Sequence, residues 1–172
     1  MSVFGLQHIG ITVPDLDQAV AFFETLFGGI TLLSTGKLDV DDDYMRRKLG
    51  VPGQCRVEDI RMLRVGNGGN LELFKYSGDT NPDELPKRNS QPGGFHLAFQ
   101  VDDAYATADR LRAAGIEVLD GPSYVDSGPS EGLTWCYLRA PWGLWLEIVS
   151  ISGPLGHERA GGMAQWSPVT GV

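Results

Sequence analysis

Apolar and polar residues alternate along "LQHIGITV" (6–13) and again along "FHLAFQV" (95–101), and each run passes at an aspartate into a period of 3.6 residues. The first periodic stretch, "DLDQAVAFFETLFGG", sets Ala19, Phe22, Phe23 and Leu26 on one stripe. The second, "DDAYATADRLRAAG", does the same with Ala104, Ala108 and Leu111. An Asp before each first turn and a Gly after each last one predict where both helices begin and end. Three alternating runs follow each helix. They are 30–35, 56–66 and 70–78 in the first half, and 116–120, 133–140 and 144–151 in the second. "GNGG" and "PWG" mark the final turns. Aligning His8 with His96 brings Val13 onto Val101 and Asp15 onto Asp103, so the chain reads as an internal repeat. The expected fold class is α+β, built from two tandem βαβββ modules. Residues 1–90 form the first, with an insertion at 36–55 holding a short helical "DDDYMRRKLG"; 91–152 form the second. Residues 77–93 read as a linker and 153–172 as an irregular tail.

Strand side chains at i and i+2 share a face. His8, Gly10 and Thr12 therefore oppose Ile9, Ile11 and Val13, while His96, Ala98 and Gln100 oppose Phe95, Leu97, Phe99 and Val101. The wholly apolar face suits the helix that follows, which leaves each histidine on the face without a helix. The last strands repeat the pattern. Glu72 shares a face with Phe74 and Tyr76, and Glu147 with Trp145 and Val149. A carboxylate within an apolar strand is costly unless it is paired or bound to a cation. Each half thus offers one His and one Glu, at matching repeat positions. Imidazole nitrogen and carboxylate oxygen suit a divalent metal, and strands hold them rigidly.

Composition narrows the field. At 172 residues the chain buries a core without disulfides, and Cys55 and Cys136 lack metal-ligand or C-x-x-C spacing, so reduced thiols are expected. A net charge of −8 argues against nucleic acid as a partner; "RRK" at 46–48 reads as a solvated helix face. No apolar run reaches the roughly 18 residues that mark a membrane span, and no secretory pattern opens the chain, so a cytoplasmic location is expected. His157, in the tail, reads as a solvated residue.

"HIGITVPDLDQAVAFFETLFG", "NLELFKY", "GGFHLAFQVDD" and "PWGLWLEIVS" resemble the vicinal oxygen chelate superfamily, which includes glyoxalase I, methylmalonyl-CoA epimerase, extradiol dioxygenases and bleomycin-resistance proteins. The similarity runs from about residue 3 to residue 151. The resemblance implies a cupped mixed sheet around one metal, with helices on the outer face. It places the ligands at His8, Glu72, His96 and Glu147. It also implies a homodimer and a small-molecule substrate. Four protein ligands on an octahedral ion leave two positions for neighbouring substrate oxygens. The implied reaction is that of a lyase or isomerase, with proton transfer next to a carbonyl through an enediolate. Glu147 is the expected base, with Glu72 as the alternative, and Phe74, Tyr76 and Trp145 are candidate substrate contacts. The expected metal is one divalent ion from among Ni, Co, Mn, Zn, Fe and Mg, all of which accept mixed N/O ligands. Two other readings stay open. An extradiol dioxygenase uses Fe(II) with two His and one carboxylate, where a fourth ligand at Glu72 would crowd the metal. A drug-sequestering binder uses the same fold without a ligand set. The insertion, with Tyr44, Arg46 and Arg47, departs from the short loop of the glutathione-dependent members.

Overall fold

The computed structural model of the protein describes residues 5–78 and 85–171 and divides the chain into two compact units, Met1–Glu84 and Leu85–Val172. The fold is α+β, with one mixed sheet in each unit. The division falls within the stretch read as a linker, part of which (79–84) lies outside the described residues.

In the first unit β1 (His8–Thr12) leads into α1 (Leu16–Phe27) and β2 (Ile30–Ser34). The insertion then forms α2 (Asp42–Tyr44), which runs into a π-helical turn over Met45–Leu49, before β3 (Arg56–Arg64) and β4 (Asn70–Ser77). The strands lie in the order β1-β4-β3-β2, with β1 parallel to β4 and the other pairs antiparallel. Helix α1 starts where Asp15 Oδ1 accepts the Gln18 N–H at 3.0 Å, and it stops at Gly28. There φ is +66°, a left-handed conformation that costs a glycine little. Its buried stripe is Leu16, Ala19, Phe22 and Phe23; Leu26, expected on that stripe, is only half-buried. The stripe covers one face of β3 and β4, whose Leu63, Leu71 and Leu73 are buried beneath it. Full burial of each such side chain contributes roughly 1.5–3 kcal/mol.

The second unit repeats the scheme. It comprises β5 (Leu97–Gln100), α3 (Ala104–Ala113), β6 (Glu117–Val118), β7 (Ser123–Tyr124), β8 (Leu133–Arg139), β9 (Trp145–Ile151) and α4 (Gly156–Arg159). The strand order is β5-β9-β8-β6, with β5 parallel to β9 and β7 also paired to β8. Asp103 caps α3 by accepting the N–H groups of Tyr105 and Ala106 at 2.8 and 3.1 Å. Ala104, Ala108 and Leu111 are buried against β8 and β9, as their period implies. The strand expected at 116–120 shrinks to Glu117–Val118, with the Leu119 N–H still donating to the Tyr137 carbonyl at 2.9 Å; pairing resumes beyond Pro122 at Ser123–Tyr124. Both cysteines are buried. Among the described residues no helix is long and apolar enough to cross a membrane.

The insertion builds a small core of its own. Met45, Cys55 and Val57 are buried there, and Leu38, Val40, Leu49, Val51, Ile60, Phe74 and Tyr76 pack against them. Arg56 ties it down, donating to Asp42 Oδ1 at 2.6 Å and to the Gly53 carbonyl at 2.7 Å.

The tail is less irregular than its composition suggests. Leu155 is buried, and α4 follows it. His157, expected to be solvated, instead places Nδ1 3.0 Å from the Pro129 carbonyl and Nε2 3.2 Å from that of Met163. Arg159 meets Glu131 at 2.7 Å, and the Ser167 hydroxyl donates to Gln100 Oε1 at 2.8 Å. Glu158 accepts the backbone N–H groups of Leu155 and Gln165, at 2.7 and 3.1 Å. Those bonds, the Leu155 bond foremost, hold its carboxyl below the ordinary value of 4.5. A carboxyl whose folded value is depressed stabilises the fold above its unfolded value and loses that contribution as pH falls through the folded one. Titration from about pH 6 to pH 3 is therefore expected to shift the Leu155 and Gln165 amide NMR signals with a common midpoint below 4.5. A midpoint at or above 4.5 would count against this anchoring, and Glu158→Gln should abolish the titration.

Candidate functional site

Within each unit the first and last strands lie side by side and parallel, and this brings a histidine and a glutamate together. Gly10 pairs with Glu72 and Ala98 pairs with Glu147. His8 and His96 each stand two residues before the paired glycine or alanine, so each is the diagonal same-face neighbour of its glutamate. His8 Nε2 lies 3.3 Å from Glu72 Oε2, and His96 Nε2 lies 3.1 Å from Glu147 Oε2. Both pairs lie on the face opposite the buried leucines, as period two requires. Among the described residues of either unit, three or more His, Cys, Asp or Glu side chains do not converge as a metal site would. Each unit therefore holds one His–Glu pair of its own.

The chemistry of these donors favours a cation. His8 Nδ1 lies 2.5 Å from Gln7 Oε1, a contact that suits a ring proton on Nδ1. In that tautomer Nε2 faces the Glu72 carboxylate with a lone pair, which a proton or a metal ion between the two would satisfy. The two pairs differ in their surroundings. Glu147 is the more enclosed carboxylate, its side chain 14% exposed against 24% for Glu72. Burial pushes its carboxyl above the ordinary range, and His96 opposes that rise.

Three aromatic residues were expected beside the glutamates. Phe74 and Tyr76 do share the Glu72 face, with ring centroids 5.6 Å apart and planes 18° from parallel. Their other neighbour is the core of the insertion, against which both pack. Burial, then the Glu72 charge, raises the Tyr76 pKa. Trp145 lies beneath the Arg139 guanidinium, 5.0 Å from its ring centroid. Sequence reasoning missed the residues of β8. Tyr137 is paired with Glu147, its ring edge-on to His96 at 5.0 Å and 89°, and Trp135 stands edge-on to Tyr137 at 5.6 Å. Burial and the Glu147 charge raise the Tyr137 pKa. Period two in "LTWCYLR" already separated Trp135, Tyr137 and Arg139 from the buried Thr134, Cys136 and Leu138. What was lacking was the register that sets Tyr137 opposite Glu147.

Residues 5–148 match the family profile described as the Glyoxalase/Bleomycin resistance protein/Dioxygenase superfamily. A 2-epi-5-epi-valiolone epimerase from an Actinomyces species is 42% identical over 155 residues, covering 90% of this chain and 83% of the relative. A lactoylglutathione lyase from Pseudomonas aeruginosa is 24% identical over 158 residues, covering 87% of this chain and 85% of the relative. Among solved structures, a glyoxalase family protein from Bacillus cereus superposes with a TM-score of 0.70 at 22% identity, covering 89% and 97% of the two chains. The fosfomycin resistance protein of Listeria monocytogenes, in complex with Mn(II) and sulfate, gives 0.57 at 18% identity, covering 92% and 99%.

Proposed function

Because the chain belongs to the glyoxalase/bleomycin resistance protein/dioxygenase superfamily, we propose that it is a metal-dependent epimerase that removes and returns a proton on the carbon next to a carbonyl of a small hydroxy ketone. The observation that carries this reading is the recurrence of one diagonal His–Glu pair, on parallel first and last strands, in both halves of the repeat. The relative at 42% identity supports the choice of epimerisation over the lyase chemistry of the more distant one, and its name points to a polyhydroxylated ketone of the valiolone type.

In this reading His8, Glu72, His96 and Glu147 hold one divalent ion, of Ni, Co, Mn, Zn, Fe or Mg. When bound, that ion supplies Lewis-acid stabilisation of the negative charge that develops on the substrate oxygen. The remaining work belongs to the chain. Gln7 keeps the His8 proton on Nδ1. Glu147, the more enclosed of the two carboxylates, is the base in this reading. Glu72, the more exposed carboxylate, is the alternative. The same reading includes a homodimer, which light scattering checks: a mass of one chain at working concentration would refute it.

The test is solvent-deuterium exchange. Metal-supplemented protein is expected to exchange the proton next to the carbonyl of 2-epi-5-epi-valiolone or a similar cyclic hydroxy ketone, and to interconvert the two epimers. The same panel carries a hemithioacetal of glutathione, a 2-methyl acyl thioester and, under air, catechols. Exchange confined to a thioester or thioacetal would move the substrate class, and oxygen uptake with a catechol in the absence of any exchange would overturn the reaction.

A further inference from the structure

The two halves of the repeat agree in their His–Glu pairs but not in the strand beside each glutamate. In the second half the residue directly opposite Glu147 is Tyr137, whereas in the first half the residue directly opposite Glu72 is Met62. Directly opposed residues of an antiparallel pair share a face, so each of these side chains stands next to its glutamate. A thioether is at best a weak acceptor; a phenol both donates and accepts. The Tyr137 ring is held from two sides, edge-on to His96 and edge-on to Trp135. No hydrogen bond joins its hydroxyl to another described residue, so the phenol is positioned without being spent on the protein's own structure.

We propose that Tyr137 is a substrate-contacting catalytic residue: its hydroxyl hydrogen-bonds an oxygen of the hydroxy ketone and holds the carbon that loses its proton beside the Glu147 carboxylate. This deepens, and rests on, the epimerase reading. A hydrogen bond that orients a substrate acts mainly on the rate, because near-attack geometry is lost when it is removed. Trp135, edge-on to the ring of Tyr137, is a positioning residue in this scheme.

Tyr137→Phe tests the assignment, since it removes one oxygen and keeps the ring against His96 and Trp135. The expected result is an exchange rate at least tenfold lower, with metal content and unfolding temperature unchanged. Met62→Leu, the corresponding change in the first half, should leave all three as in the wild type. A second measurement does not need turnover: calorimetric binding of the reduced substrate, a cyclic polyol without a carbonyl, to metal-supplemented protein should weaken about tenfold in Tyr137→Phe. Wild-type behaviour of Tyr137→Phe in both assays overturns the assignment, as does loss of metal or of stability, which would make Tyr137 structural. Absence of exchange in the wild type with polyol binding intact would defeat the epimerase reading alone, and the binding comparison would still decide Tyr137. A wild-type protein that neither binds the polyol nor exchanges any hydroxy ketone overturns both.

Discussion

Replacing Glu147 with glutamine is expected to lower the exchange rate by a factor of about 10² to 10⁴, the range over which a positioned general base contributes. The substitution is close to isosteric, and the neighbours Trp145, Leu146 and Ile148 are untouched. The effect on stability separates loss of chemistry from loss of fold. Burial raises the Glu147 carboxyl, with His96 in opposition, so the folded value lies above the unfolded one. For such a group the ionised form disfavours the native state above the folded value, and the cost fades as pH falls through it. Metal-free Glu147→Gln should therefore melt at or above the wild-type temperature at neutral pH while having lost its activity. A variant that melts lower and exchanges normally would remove Glu147 from the reaction.

The second large effect concerns the ion. His96→Ala is expected to reduce divalent metal from about one per chain to near none, measured by elemental analysis of protein purified without chelator. His8→Ala should do the same. At a free metal concentration a hundred times the dissociation constant, binding to the native state alone adds about 2.7 kcal/mol. For a chain of this size that is a rise of about 5–10 °C in melting temperature, and both variants should lack it. Gln7→Ala is the graded case: it leaves every donor in place and removes the group that holds the His8 tautomer, so affinity should fall about 10- to 100-fold. Unchanged metal content and an unchanged metal-dependent rise in His96→Ala would dispose of the proposed ligand set.

Much of this was readable from the chain because the informative residues act locally. Asp15 and Asp103 cap the helices that follow them within three residues, and period two sorts Glu72 from Leu71 and Leu73 without knowledge of any partner strand. The repeat placed one His and one Glu on the same face of each half, but their diagonal contact depends on the parallel pairing of first and last strands, which the sequence did not reveal. The misses share one cause: each depends on a partner distant in sequence. α4 and His157 are held by Glu131 and Pro129, which no local period announces. Phe74 and Tyr76 lie on the expected face yet pack against Met45 and its neighbours, because the insertion supplied a surface whose placement the sequence did not reveal. Tyr137 was passed over because a tyrosine in an alternating strand looks like any other half-buried aromatic until its register with Glu147 is known.

The parallel pairing of β1 with β4 and of β5 with β9 also governs when the protein becomes competent. Every His–Glu pair bridges the first strand of its unit to the last, so neither forms from a partial unit; each appears only when the intervening helix and strands have closed the loop. During synthesis the first pair has to wait for Asn70–Ser77, and the second for Trp145–Ile151, near the end of the chain. A nascent protein thus completes its first His–Glu pair well before its second. On the proposed ligand set, metal loading would follow the closing of the second sheet.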